Sequence, residues 1–492
     1  MSNTATPVAY ARAARTEIEA FNNHIDGRWS PSQTGTLFDD VNPADTGDIV
    51  GRFPASSAAD AQAAVRAAAA AFAGWKKTPI SARAKILNRA ADHLEANVDR
   101  FAAELTREQG KPLNLGKDEI LRSAQTLRFY AVEGQSFTGE TFPNDDPDMV
   151  VYTQREPLGV ITVITPWNFP VSIPARKIAP ALITGNTVVF KPSSDAPLSG
   201  YRLAEALVTA GLPGGVLNFI TGSAAEIGPA ITEPSEVCAI SFTGSTRAGE
   251  AIHRAVSFAT RTQLELGGKN PLIVMEDADL DKAVDLAIKG GFSLSGQACT
   301  GTSRVLVMKQ VKAAFTEKLV AKVKALKIGS GMVAGNDIGP LATPRQLETV
   351  LRYVEIGKRE ATLLCGGTRL TGAGYDRGIF TDVTNAMGIA REEIFGPVIC
   401  LIEVTSYQDA IANANDTEYG LSAAIATRNP RYIHDFANDI ESGTVKINRT
   451  TTGNLINAPF GGLKRSSTST FRESGRGALE FYTQIKTIYR GC

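Results

Sequence analysis

The amino-acid sequence predicts an α/β protein of more than one unit, and three observations carry that prediction. The chain has 492 residues, more than one compact core ordinarily encloses. Short runs rich in Val, Ile, Phe and Thr recur at 159–165, 187–191, 216–221, 237–243 and 263–266. Segments of helical period separate several of them, at 200–210 and 224–231, and this alternation implies right-handed crossovers and a parallel sheet.

The remaining elements follow in order. Residues 22–52 alternate polar and apolar runs around the turn pairs Asp26-Gly27 and Asn42-Pro43, which predicts β-hairpins. From Ala59 the chain turns Ala-rich with a helical period and places Asp60 in the first turn. Helices are expected over 81–96, with Ser81 as cap after Pro79, and over 100–109 and 121–133. A second alternating series starts near Pro271, with runs at 272–275, 280–287 and 304–308 and a long helix around 311–326.

Bulk composition narrows the function. Fifty-one basic side chains balance fifty-one acidic ones, so there is no electrostatic footprint for nucleic acid or an anionic membrane. The five cysteines, Cys238, Cys299, Cys365, Cys400 and Cys492, form no CxxC pair, and the four histidines lack ligand spacing. Neither a disulfide framework nor a metal site is expected. The N-terminus shows no basic segment followed by an apolar core, and the most apolar stretch, 158–190, is broken by Pro166, Pro170, Pro174, Arg176 and Lys177. A cytoplasmic protein acting on a small molecule is the expectation.

Four constellations carry chemistry. Cys299 lies in Gly296-Gln-Ala-Cys-Thr-Gly, a small-residue turn before a strand. Free cysteines are commonly buried and inert, but these neighbours let a substrate approach the sulfur, and a nest of amides there would favour thiolate. Glu265 ends an apolar run ahead of Gly267 and Gly268, where partial burial would raise its pKa toward that of a general base. Asn168, in Thr165-Pro-Trp-Asn-Phe-Pro, follows a strand and offers an amide donor to an oxyanion. Phe242-Thr243-Gly244-Ser245-Thr runs from a strand into a helix in the manner of a phosphate cradle. No G-x-G-x-x-G fingerprint accompanies it, so the residues alone do not support an ordinary dinucleotide fold.

Taken together with Glu392-Glu-Ile-Phe-Gly-Pro and Pro459-Phe-Gly-Gly-Leu-Lys, these motifs resemble the aldehyde dehydrogenase superfamily, in its order and across nearly the whole chain. The resemblance implies a Rossmann-type cofactor domain (1–134 and 156–264), an α/β catalytic domain (265–476) and a small β oligomerisation arm (135–155 and 477–492). It makes Cys299 the nucleophile that carries a thioester and Glu265 the base that releases it. Asn168 and the Cys299 amide would form the oxyanion hole. It implies NAD or NADP, with Lys191 at the adenosine ribose, Glu393 at the nicotinamide ribose and Phe395 packed on the cofactor. Thr165, Pro166, Trp167, Gly222, Thr243, Gly244 and Ser245 would line the same site.

Two positions bear on specificity. Ser194 stands three residues after Lys191, where NAD-preferring relatives usually carry a glutamate that repels a 2′-phosphate, so NADP is favoured; Asp195 follows it. Arg176, eight residues after Asn168, resembles the semialdehyde dehydrogenases, where an arginine grips the distal carboxylate. The segments Cys299-Thr-Gly-Thr-Ser-Arg and Lys464-Arg-Ser-Ser-Thr-Ser-Thr-Phe-Arg-Glu resemble the 2-oxoglutaric semialdehyde (2,5-dioxopentanoate) enzymes. Ser293 stands where succinic semialdehyde enzymes often place a second arginine. The expected substrate is therefore an acidic ω-semialdehyde, with succinic semialdehyde or a broad aldehyde range as the alternative. A cysteine acyl-transfer enzyme is the reading from another class, and it lacks a histidine near any motif. By the same resemblance a homodimer or homotetramer is expected, and 481–489 alternates like an edge strand.

Overall fold

The computed structural model describes residues 18–370 and 374–491. Cys492 and the first seventeen residues of the expected cofactor domain lie outside that range.

Two seven-stranded sheets organise the chain. The first runs, edge to edge, Arg261–Glu265, Val237–Thr243, Val160–Ile164, Thr187–Lys191 and Leu217–Phe219, all parallel, and ends in the antiparallel hairpin Asn23–Ile25 and Arg28–Ser30. Asp26 (φ 50°) and Gly27 (φ 77°) make the left-handed turn of that hairpin, as the Asp-Gly pair predicts. Numbered along the chain and read from the hairpin side, the five parallel strands stand in the order third, second, first, fourth, fifth. That is a doubly wound sheet, so the missing glycine fingerprint misleads about the fold: crossovers set the topology and the fingerprint sets only one turn. Val160, Ile161 and Val163 are buried, as are Val188, Val189 and Phe190 in the next strand; covering both sheet faces explains such unbroken apolar runs.

The second sheet runs Thr362–Cys365, Gly378–Thr381, Val398–Val404, Thr302–Met308, Asn270–Val274, Ser422–Ala426 and Thr444–Ile447, parallel except at its first edge. The region expected at 280–287 is the helix Leu280–Phe292, capped by Asp279, whose side chain accepts from the Lys282 amide. A three-stranded antiparallel sheet pairs Thr483–Gly491 with Met149–Pro157, and Thr141–Phe142 with the latter's other edge. Gly477–Phe481 is instead a short helix whose Ala478, Leu479 and Phe481 enter the first core.

Helix ends differ from expectation in two places. Ser57 caps the Ala-rich helix Ala58–Trp75 in a reciprocal box with Asp60. Ser81 caps nothing, because the next helix, Ile80–Ala96, begins after Pro79, whose fixed φ already starts the turn. The helix expected at 121–133 spans Leu113–Glu133 and opens after Pro112.

Candidate active site

The first sheet changes strand order between Val160–Ile164 and Val237–Thr243, and loops leaving neighbouring strands there diverge into a crevice. Every expected cofactor residue of this half sits at a carboxyl strand end around it. Thr165, Pro166 and Trp167 leave one central strand, and Gly244 and Ser245 leave the other. Lys191 ends the strand Thr187–Lys191, and Gly222 follows Leu217–Phe219. Ser245 caps the helix Thr246–Ala255, so that helix directs its amide end at the crevice. The hydroxyls of Thr165 and Thr243 are buried there without a hydrogen-bond partner among the described residues. Unpaired donors beside a helix N-terminus fit a polyanionic ligand such as the pyrophosphate of a dinucleotide.

At the far end of this crevice Ser194 donates its hydroxyl to the Gly222 carbonyl at 2.9 Å. Lys191 is 5% exposed, and burial lowers its ammonium to about 8, with Asp195 opposing that shift. Asp195 itself pairs with Arg345 at 2.9 Å, which offsets its charge beside Ser194.

The second sheet meets the first at its own strand beginnings. Cys299 precedes Thr302–Met308, and the turn before it is strained: Leu294 and Ser295 both have φ 55°. Three bonds hold that turn. Ser295 Oγ donates to the Gly339 carbonyl at 2.8 Å, Gln297 Nε2 to the Leu294 carbonyl at 3.2 Å, and the Ala342 amide to Gln297 Oε1 at 2.9 Å. Asn270 opens the neighbouring strand and donates to the Cys299 and Gly301 carbonyls at 2.8 and 2.9 Å.

Glu265 reaches the same place from the first sheet. Its strand-mate connection is direct, since the Gly244 amide donates to the Glu265 carbonyl at 3.1 Å. The two glycines after it are sterically required. A Cβ on Gly268 would lie 2.5 Å from the Cys299 carbonyl oxygen, and one on Gly267 would overlap the Glu393 carboxylate. The pair thus brings the Glu265 strand, the Cys299 turn and Glu393 into contact. Glu393 accepts from the Gly268 amide at 3.0 Å. Phe395, left-handed at φ 55°, sets its ring edge-on to Trp167 at 5.4 Å.

Electrostatics at this junction is dominated by burial. Glu265 is 2% exposed, and neither carboxyl oxygen has a partner among the described residues. Burial, then the charge of Glu473, push it well above the usual carboxylate range. Glu393 rises to about 7 by burial, offset in part by the Gly268 amide. Cys299 as a residue is half-buried, but desolvation around its sulfur, followed by Glu393, pushes the thiol up to about 12. That corrects the expectation of a thiolate-favouring nest. Of the charges acting on the sulfur, Glu393, Glu265 and Glu473 raise its proton affinity and Arg176 opposes them.

Asn168 is 1% exposed and donates through Nδ2 to the Gln297 carbonyl at 2.9 Å. Arg176 lies on the helix Ser172–Ile183 and points its Nη1 to Glu473 at 3.5 Å, while Lys177 holds the same carboxylate at 2.7 Å. The expected site residues therefore lie around one crevice, with Lys191 and Ser194 at its far end.

Sequence reading missed the supports. Lys111 and Glu119 form an ion pair at 2.5 Å, and their side chains are 1% and 2% exposed. Lys111 also donates to the Asn168 carbonyl at 2.8 Å, and Glu119 accepts from the Val171 and Ser172 amides. Gln346 donates to the Ile394 and Phe395 carbonyls at 3.1 and 2.8 Å. The only sequence signal for Lys111 is a lysine between Gly110 and Pro112 at a helix start, which carries no chemistry by itself.

Comparison with known proteins agrees with this geometry. Residues 29–488 match the model of the aldehyde dehydrogenase family. The alpha-ketoglutaric semialdehyde dehydrogenase of Bacillus subtilis is 43% identical over 482 residues, 96% of this chain and 99% of that protein. The 2,5-dioxopentanoate dehydrogenase of Saccharolobus solfataricus is 41% identical, over 93% of this chain and 97% of its own. Among solved structures, betaine aldehyde dehydrogenase from Staphylococcus aureus in complex with NAD+ superposes with a TM-score of 0.92 at 33% identity, covering 96% of this chain and 95% of that one.

Proposed function

The chain belongs to the aldehyde dehydrogenase family and is a nicotinamide-dependent oxidoreductase that converts an aldehyde to its acid; from that premise we propose that its substrate is an acidic ω-semialdehyde, 2-oxoglutaric semialdehyde first. The observation that carries the proposal is Arg176, a cation beside Cys299 on a helix whose start is clamped by Glu119. The names of the Bacillus and Saccharolobus relatives point the same way.

In this reading Cys299 Sγ adds to the aldehyde carbon. The free N–H of the Asn168 amide and the Cys299 backbone amide receive the oxygen as it gains charge. Thr165, Pro166, Trp167, Thr243, Gly244 and Ser245 hold the dinucleotide's phosphates and ring, Gly222, Ser194 and Lys191 its adenosine end, and Glu393 and Phe395 its nicotinamide end. Bound there, the nicotinamide supplies the hydride acceptor. Glu265 then takes a proton from the water that hydrolyses the acyl group on Cys299, a role suited to a carboxylate whose burial raises its proton affinity.

NADP is the preferred cofactor in this reading. Ser194 leaves room for a 2′-phosphate, and Arg345 offsets the one acid beside it. The strand Thr483–Gly491, an uncovered edge carrying exposed Ile485 and Tyr489, serves as the arm of a homodimer or homotetramer. The chain acts in the cytoplasm. Steady-state kinetics on succinic semialdehyde, 2-oxoglutaric semialdehyde and uncharged aldehydes of the same length, with each cofactor, tests the substrate reading. The charged aldehydes should have the higher kcat/KM, and equal values across the panel contradict it.

A further inference from the structure

Arg176 is not the only cation at the mouth of the Cys299 site. The helix Leu113–Glu133 crosses the start of Ser172–Ile183, and the two are tied where Glu119 accepts the Val171 and Ser172 amides. One turn beyond each tie stand Arg122 and Arg176, close enough that the charge of Arg176 acts on Arg122. Arg122 is half-buried, and among the described residues its guanidinium makes no hydrogen bond or ion pair. Lys446, on the strand Thr444–Ile447, is half-buried and feels the charge of Arg122, and Arg449 follows three residues later. The loop carrying them is pinned next to the nucleophile: Thr451 Oγ1 bonds Thr302 Oγ1 at 2.7 Å, three residues after Cys299.

A half-buried arginine facing another arginine with no acceptor is unfavourable unless an anion arrives. Both burial and Arg176 depress the proton affinity of Arg122, and Arg122 and Arg449 do the same to Lys446, so the four charges feel one another in series. Arg176 has a partner in Glu473, but at 3.5 Å, and Glu473 is held by Lys177 at 2.7 Å. Two planar forks from neighbouring helices would suit a carboxylate with an adjacent keto oxygen, which offers coplanar acceptors.

We propose that Arg122 is a second specificity residue that, with Arg176, grips the 2-oxo-carboxylate end of the aldehyde, while Lys446 and Arg449 draw the anion to the mouth. The inference rests on the acidic-semialdehyde reading and extends it by naming a second cation, Arg122, for the distal carboxylate. Its position is invisible to motif reading: it lies on a helix remote in sequence from every signature.

The test compares wild type, Arg122→Met, Arg122→Lys and Arg176→Met on 2-oxoglutaric semialdehyde and pentanal, with glutarate as a competing unreactive anion. In Arg122→Met the kcat/KM ratio of charged to neutral aldehyde falls about tenfold or more, mainly through KM, and the glutarate inhibition constant rises in parallel. Arg122→Lys recovers part of the ratio. A loss shared equally by both aldehydes, or a ratio that falls in Arg176→Met but not in Arg122→Met, overturns the role of Arg122 while leaving the substrate reading intact. A wild-type ratio near one overturns the substrate reading itself.

Discussion

Asn168 donates its side-chain amide to the carbonyl of Gln297, two residues before Cys299, at 2.9 Å. One N–H is thereby committed to holding the amide against the turn before Cys299, and in the proposed reaction the other faces the developing oxyanion. Its Oδ1 is occupied by the Phe169 amide, which fixes which end of the side chain faces which way.

Asn168→Ala should therefore lower kcat by about 100- to 1,000-fold, roughly 3–4 kcal/mol of oxyanion stabilisation, with little change in cofactor affinity. Steady-state kinetics beside cofactor fluorescence titration checks it. A variant that keeps kcat within a few-fold of wild type removes Asn168 from the oxyanion hole.

With the Cys299 thiol pushed up to about 12 by burial and Glu393, the ligand-free protein should alkylate slowly at neutral pH. The rate of iodoacetamide labelling at Cys299 should climb about tenfold per pH unit without a plateau up to about pH 10. Glu393→Gln removes the second-largest cause and should quicken labelling at every pH. An inflection near neutrality in the ligand-free enzyme would show a pre-formed thiolate.

Glu265 carries a stability signature of known sign. Its folded-state proton affinity is raised, so the folded chain keeps a proton that the unfolded chain releases above the ordinary carboxylate range. Its contribution to stability is full in acid and declines as pH rises from the unfolded value toward the folded one. Glu265→Gln should then raise Tm relative to wild type at about pH 8 and give no comparable gain at about pH 4.5. A gain that is equal at both, or that appears only in acid, reverses the assignment.

Lys111 and Glu119 test the scaffold. Removing one partner leaves a buried unpaired charge, so Lys111→Met should destabilise the fold by about 3–5 kcal/mol, and the double variant Lys111→Met/Glu119→Gln should recover much of that. Chemical denaturation measures both. Single and double variants of equal stability would mean the pair holds nothing.

Much of this architecture was readable beforehand, for reasons that differ by element. The central strands of the first sheet announce themselves because covering both faces demands apolar runs such as Val188-Val189-Phe190. Cys299, Glu265 and Asn168 are legible because the turns around them admit few residue types; Gly267 and Gly268, for example, tolerate no Cβ against Glu393 and the Cys299 carbonyl. The doubly wound order was obscured by the absent glycine fingerprint, a property of one turn rather than of the crossovers. Lys111, Glu119 and Gln346 stayed hidden because they meet partners far away in sequence: Lys111 meets Asn168, Glu119 meets Ser172, and Gln346 meets Phe395. The upward push on the Cys299 thiol was missed for a related reason, since the carboxylates that act on it come from three separate segments.

The covalent step is the centre of this account, and trapping it is the most direct measurement. Glu265→Gln enzyme mixed with aldehyde and cofactor should yield, by intact and peptide mass spectrometry, an acyl adduct on Cys299 that hydroxylamine removes. An adduct on any other residue, or turnover that survives in Cys299→Ala, would contradict it.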